Sequence, residues 1–265
     1  MKRICIMRVA GTNRDYDTYD ILSHLGAASD VVHMNEFIRG KRSLLDYDAF
    51  IFPGGFSYGD RIRSGAIWAK QLISKLSSDF KKIADDGRPI LGICNGMQVV
   101  VEAGLIPGLR GISEYPEAAM GVNASSRFEC RWVYLKNLSR GNCLFARDIP
   151  RNAVMRVPVA HGEGRFLLPK EREHELLKTL ERNDQIVFRY CGEDGKAADG
   201  NYPLNPNGAF SDIAGVCNPE GNVLAFMPHA EDACFHWQHP DWTRRGLRGE
   251  TGGILLFKSL LSHLR

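Results

Sequence analysis

Up to Gly104, short apolar runs alternate with segments whose apolar positions recur every three or four residues. Ile4–Val9, Val31–Met34, Ala49–Pro53 and Pro89–Ile93 read as strands. Asn13–Leu25 carries Tyr16, Tyr19, Leu22 and Leu25 on helical spacing with Gly26 as a stop, and Ala66–Ala84 and Asn95–Ala103 read as further helices, the latter closed by Gly104. Strands alternating with helices predict a parallel sheet covered on both faces, and such sheets bind ligands beyond the carboxyl ends of their strands. The glycine turns after two of those ends, Gly54-Gly55 and the turn at Cys94, are therefore expected to be neighbours in space.

The second half is dominated by β signals, at Phe128–Leu135, Ala153–Ala160, Ile186–Tyr190, Ile213–Val216 and Val223–Phe226. A helix is predicted over Glu171–Arg182. A second, carrying Ile254, Leu255, Phe257, Leu260, Leu261 and Leu264, is expected to cover the sheet at the end of the chain. Gly192–Ala209 is rich in Gly, Asn and Pro and has no periodicity, which marks a disordered insert or a functional loop. The expected class is α/β, an open, mostly parallel sheet flanked by helices with an additional antiparallel β portion, in one domain over 1–265. No internal repeat or interdomain linker is visible.

Composition narrows the class without naming a function. With 265 residues, 44% hydrophobic and 25% charged, the chain is an ordinary globular one able to bury a large core. No apolar run is long enough to span a bilayer, and Met1-Lys2-Arg3 leads into an apolar stretch too short for a signal peptide, so a cytoplasmic protein with no membrane partner is expected. Seven cysteines without paired spacing suit free thiols in a reducing compartment. A net charge of +3 is too small to argue for nucleic acid. The cluster Thr243-Arg244-Arg245-Gly246-Leu247-Arg248 reads as a solvated loop or as a contact for phosphate or an acidic partner.

The sharpest local signal is Gly92-Ile93-Cys94-Asn95-Gly96-Met97-Gln98, where a buried strand must turn into a helix within a few residues. Such an elbow holds a nucleophile in a strained conformation and needs nearly side-chain-free flanks, which Gly92 and Gly96 supply. At a helix N-terminus the dipole favours the thiolate. The plain alternative is a packed core cysteine.

A cysteine nucleophile needs a base and a group to orient that base. His229 follows the apolar run Val223–Phe226 and so emerges at the level where the elbow opens; Glu231, two residues on, projects to the same side if the segment is extended. A surface His beside a surface Glu is the bland reading. The amides of Asn95 and Gly55 are candidate donors to an oxyanion. His161, in a Gly-rich turn, either shapes a loop or contacts substrate. Cys5, Cys130, Cys191 and Cys217 read as packed thiols, and the sequons at Asn123 and Asn137 carry no message in a cytosolic chain.

Cys94 in its elbow, together with Pro228-His229-Ala230-Glu231, resembles the class I (triad) glutamine amidotransferase family. Further blocks narrow the resemblance to a purine-biosynthetic branch: Pro53–Asp60 with Arg63–Ile67, Arg127–Trp132, His161–Arg165 and Tyr202–Gly208. Together they span nearly the whole chain. The resemblance implies a flavodoxin-like glutaminase with Cys94 as nucleophile, His229 as base and then acid, Glu231 as orienter, and an oxyanion hole from the backbone of Gly55 and Asn95. Gly54 and Gln98 follow as further substrate contacts.

It also implies L-glutamine as substrate, no cofactor or metal in this chain, and a separate synthetase subunit that uses the ammonia with ATP and magnesium, with a small accessory subunit beside it. No phosphate loop occurs here, in keeping with ATP binding elsewhere. One segment departs from the pattern. The family usually reads Pro-His-Pro-Glu-Arg, whereas here Ala230 and Asp232 replace the second proline and the arginine, so loop geometry or a partner contact is expected to differ.

Three rival readings compete. A DJ-1-like cysteine hydrolase, protease or chaperone shares the elbow but gives no reason for the Arg127–Trp132 and Tyr202–Gly208 blocks. A metal module on Cys234, His236 and His239, with His229, fits no common zinc spacing. A scaffold that only docks a synthetase leaves Cys94, His229 and Glu231 without a purpose.

Overall fold

The computed structural model describes residues 2–111, 115–246 and 249–264, with the side chain of Arg245 excepted. Leu247 and Arg248 of the basic cluster lie outside the described residues.

Four apolar runs form the parallel half of the fold. Strands β1 (Arg3–Arg8), β2 (Ala28–His33), β3 (Ala49–Phe52) and β4 (Ile90–Ile93) pair in the order β2-β1-β3-β4, all parallel. Helices α1 (Asp15–His24), α2 (Met34–Ile38), α3 (Ala66–Asp85) and α4 (Asn95–Glu102) lie between or after them. Every residue of β3 and β4 is buried, as expected of strands covered on both faces. In α3 the buried positions Trp68, Ala69, Leu72, Leu76, Phe80 and Ile83 form one stripe. Trp68 and Phe80 both pack at a tilt against Phe52, with ring centroids 5.4 and 5.6 Å away.

The same sheet continues into an antiparallel half. Short β5 (Ala119–Gly121) and β8 (Arg165–Leu167) form a separate pair. The others are β6 (Glu129–Asn137), β7 (Val154–His161), β9 (Ile186–Cys191), β10 (Ile213–Cys217) and β11 (Val223–Phe226). Among the described residues the main sheet has nine strands in the order β2-β1-β3-β4-β11-β10-β9-β6-β7. Strand β11 is the seam, parallel to β4 and antiparallel to β10. Strands β6 and β7 alternate buried and more accessible positions where β3, β4 and β11 do not, because only one of their faces meets the core. Helices α5 (Glu173–Arg182), α6 (Trp242–Arg245) and α7 (Gly252–Ser262) complete the chain, with α7 packed on α1 and β7.

Several boundaries move for identifiable reasons. Helix α1 starts two residues later than its periodicity suggests, because the amides of Asn13 and Arg14 are drawn to the Gly54 carbonyl at 3.5 and 3.2 Å. Strand β2 begins earlier, through the polar Ser29 and Asp30, since an edge strand need not be apolar. Met34 starts a short helix that the apolar pattern does not reveal. Strand β7 runs on to His161, so that histidine ends a strand instead of sitting in a turn. Cys5, Cys191 and Cys217 are packed thiols, but Cys130 is exposed, because the outward positions of β6 face solvent. Gly192–Ala209 is a hydrogen-bonded loop: Asn205 accepts the amides of Gly208 and Ala209 and donates to Asp212 at 2.8 Å.

Candidate active site

Parallel strands β3, β4 and β11 end side by side, with Phe52 opposite Gly92 and Phe226 opposite Ile93. The two glycine turns are consequently neighbours, and the turn after β11 joins them. An open cleft of about 490 Å³ lies at the other end of these strands, lined by Asp48, Pro89 and Asn222 among others. None of its lining residues belongs to the candidate triad. Neither volume nor openness marks the site; the strand ends do.

Cys94 has φ 49° and ψ −104°, a strained conformation immediately before α4. It is 4% exposed, its amide donates to the Phe226 carbonyl at 2.8 Å, and its Sγ faces the Ala160 carbonyl at 3.7 Å. The two flanking glycines are sterically required. A Cβ on Gly96 would sit 1.9 Å from the Phe52 carbonyl oxygen, and one on Gly92 would sit 2.5 Å from the Gly96 carbonyl oxygen.

His229 is held by its amide on the Pro158 carbonyl at 2.9 Å, and its Nδ1 lies 2.6 Å from Glu231 Oε1. Both side chains are buried. Burial disfavours the imidazolium, but the charge of Cys94, the charge of Glu231 and a hydrogen bond to each outweigh it, so the His229 pKa stands well above 6.5. An imidazole between a thiol and a carboxylate is equipped to move a proton at its sulfur-facing nitrogen while the carboxylate fixes its tautomer. The carboxylate arrives differently from the extended geometry expected. Ala230 is helical at φ −65° and ψ −35°, and Glu231 opens a 3₁₀ turn, Glu231–Ala233, that brings it back to the ring.

Gly54 lies against His229, since a Cβ there would be 2.7 Å from Cε1 of the imidazole. Gly55, at φ 145°, is pressed against the chain at Gly11–Asn13 and has room for no side chain. Asn95 opens α4, where amides have no partner within the helix. Its side chain accepts from the Ser57 amide at 3.2 Å and donates to Gln98 Oε1 at 2.8 Å. Gln98 in turn donates to the Glu163 carbonyl at 2.7 Å. Both ends of the Gln98 amide are thus engaged within the protein, and a substrate contact there would require this link to be exchanged.

His161 is 3% exposed, lies under Gly164 and approaches Asn207 at 3.4 Å. Burial pushes its pKa down to about 4, with the His229 charge adding to the effect.

Asn123, read from the sequence only as a meaningless sequon, is a knot in the same region. It donates to the carbonyls of Arg127 and His161 at 2.8 Å each and accepts the Gly164 amide at 2.9 Å. Asn207 also donates to the buried Tyr190 hydroxyl at 3.0 Å, and Arg131 donates to the Tyr202 hydroxyl at 2.6 Å. Segments far apart in sequence therefore converge around the triad, a convergence that no local pattern could reveal.

Cys234, His236 and His239 go to separate partners. The Cys234 thiol faces the Ala230 carbonyl at 3.2 Å, His236 faces the Gly249 carbonyl at 2.7 Å, and the His239 ring lies 4.6 Å from that of Trp132.

Comparison with known proteins adds four findings. The CobB/CobQ-like glutamine amidotransferase domain family matches residues 1–264. The phosphoribosylformylglycinamidine synthase subunit PurQ of Archaeoglobus fulgidus is 42% identical, over 99% of this chain and 97% of that protein. The protein of the same description from Methanococcus maripaludis is 40% identical, over 91% of this chain and 85% of its own. A chain in the structure of PurLQS from Thermotoga maritima superposes with a TM-score of 0.73 at 30% identity, covering 100% of this chain and 99% of that one.

Proposed function

The chain belongs to the CobB/CobQ-like glutamine amidotransferase family, and we propose that it is the glutaminase subunit of a phosphoribosylformylglycinamidine synthase. In this reading it hydrolyses L-glutamine to glutamate and ammonia. A synthetase subunit uses the ammonia, with ATP and magnesium, to convert formylglycinamide ribonucleotide to its amidine in purine biosynthesis. One observation carries the reading: Cys94, His229 and Glu231 meet at the carboxyl ends of adjacent strands β4 and β11, with His229 Nδ1 2.6 Å from Glu231.

The chemistry follows from the geometry. The Cys94 thiolate attacks the side-chain carbonyl carbon of glutamine, and the amides of Gly55 and Asn95 receive the oxyanion. His229, charged and oriented by Glu231, gives its proton to the departing nitrogen, so ammonia leaves and a thioester remains. Neutral His229 then takes a proton from water as the water adds to the thioester. Collapse of that adduct returns the proton to sulfur and releases glutamate. Glu231 holds the ring throughout.

Similarity at about 40% identity over 97% and 85% of two subunit relatives supports this reading over a DJ-1-like hydrolase or chaperone. Among the described residues no helix is long and apolar enough to cross a membrane. The partners proposed are the synthetase and a small accessory subunit, with no nucleic acid or membrane, in the cytoplasm.

Because free ammonia would be wasted, activity is expected to be low until the synthetase docks. Glutamine hydrolysis by the isolated chain and by the reconstituted complex tests this, and equal rates would remove partner gating. No hydrolysis in either state, with Cys94 unmodified by a glutamine analogue, would remove the enzyme reading itself.

A further inference from the structure

Asp232 follows the orienting carboxylate directly, and the structure shows how its charge is answered. Arg14, at the entry to α1, faces Asp232 with a two-pronged contact, Nη1 to Oδ1 at 3.3 Å and Nη2 to Oδ2 at 3.2 Å. The same guanidinium reaches Asp17 at 3.2 Å. The Arg14 amide donates to the Gly54 carbonyl at 3.2 Å, and a Cβ on Gly54 would lie 3.3 Å from Arg14 Cγ and 2.7 Å from His229 Cε1. Arg14 thus touches, through one glycine, the ring of the proposed base, and through its guanidinium, the residue after the orienting carboxylate.

Charge makes that placement consequential. A ring nitrogen of His229 and carboxylate oxygens of Glu231 and Asp232 lie within 4.8 Å of one another, so an uncompensated Asp232 would give the imidazole a second carboxylate neighbour. Burial pushes the Asp232 pKa up to about 6; Glu231 and Asp17 add to the push, and Arg14 and His229 oppose it. Of the other groups packed on this turn, His161 of β7 is a titratable neighbour of His229 whose pKa burial pushes down to about 4, and the Cys234 thiol, pushed up by burial, faces the Ala230 carbonyl. Arg156 of β7 pairs with Asp241, His236 faces the Gly249 carbonyl, and α7 presents Gly253, whose close approach to the Ala230 and Ala233 carbonyls leaves no space for a side chain.

We propose that Arg14 and Asp232 are a positioning pair for His229: Arg14 cancels the Asp232 charge and braces the turn, so the imidazole answers to Glu231 alone. This rests on the glutaminase reading only for its consequence in catalysis. His229 must be charged when ammonia leaves and neutral when water attacks, so a second unbalanced carboxylate would favour the first step and hinder the second.

The test reads the pair without requiring turnover. The rate of Cys94 alkylation by iodoacetamide, followed on the Cys94 peptide by mass spectrometry because the exposed Cys130 will react as well, reports the thiolate–imidazolium pair as a function of pH. Arg14→Met leaves net negative charge and should move both inflections up by about 0.5–1 pH unit. Asp232→Asn removes one negative charge, leaving Arg14 balanced by Asp17, and should move them down by a similar amount. The double variant should return them to the parent values, and Arg14→Lys should stay near the parent.

A merely structural bridge would give no shift, or shifts of one sign in both single variants, and either result overturns the proposal. If Arg14→Met fails to fold, the downward shift required of Asp232→Asn decides alone. Glutaminase activity of the parent in complex with the synthetase is measured in parallel. Opposite alkylation shifts without any glutamine hydrolysis would retain the pair and discard the glutaminase reading.

Discussion

The elbow at Cys94 and the turn bearing His229 and Glu231 close neighbouring parallel strands, yet different forces hold them. At the elbow the determinants are backbone sterics: a positive φ at Cys94, and two glycines against which a Cβ would collide at 1.9 and 2.5 Å. The turn after β11 depends on side chains and distant segments: Glu231 folded back to the ring, Arg14 on Asp232, and Gly253 of α7 packed under Ala230 and Ala233. A nucleophile has to be held rigidly in place, whereas a base has to be tuned. Rigidity is available from local chain geometry, but tuning needs charges brought from elsewhere.

Substitutions on the two sides should therefore fail in different ways. The largest effect is expected from Cys94→Ala, which should lower ammonia release from glutamine by about 10⁴-fold or more while the melting temperature stays near that of the parent. Glu231→Gln should cost about 10²–10⁴-fold in kcat with modest loss of stability. It should also move the His229 inflection down in the pH–rate profile, because one of the groups raising that pKa is gone.

Gly96→Ala should act through the fold instead, lowering unfolding free energy by about 3 kcal/mol or more in denaturant titration, since the new Cβ meets backbone that cannot rotate away. Equal stability loss in Gly96→Ala and Glu231→Gln would erase the contrast between elbow and turn.

Smaller effects sharpen the picture on the turn side. The folded pKa of Asp232, about 6, is raised above its ordinary 3.8. Between those values the native chain holds more protons than the unfolded one, so this group makes stability fall as pH rises through the window. Asp232→Asn should flatten that part of the parent's melting profile, and an unchanged slope would show the carboxyl to be unperturbed. The smallest effect should come from Ala230→Pro. Ala230 already has φ −65°, the value proline enforces, so stability should change by less than about 1 kcal/mol and activity should persist.

Much of this was legible in the chain. The all-apolar runs of β3, β4 and β11 announced strands buried on both faces, and Gly92 and Gly96 announced the elbow, because each is a local requirement written at its own position. Where the sequence was silent, the determinant was a partner far away. Asn123 offers no periodicity, yet it ties together Arg127, His161 and Gly164. Cys130 looked packed because a strand's two faces cannot be told apart until its neighbours are known. Glu231 was placed on the right side of His229 for the wrong backbone reason, since one helical residue at Ala230 does the work assigned to an extended segment.

By itself the sequence determined the alternation of strand and helix, the elbow at Cys94, and the glycines that no other residue can replace, all consequences of short-range sterics and hydrophobic period. Only the tertiary structure decided that β11 lies beside β4, joining the parallel and antiparallel halves in one sheet and bringing His229 to Cys94. It alone decided that Arg14, 218 residues before Asp232, would answer its charge. Strand order and charge pairing are set by the packing of the whole core, and a contact between distant residues leaves no mark on the local pattern of either.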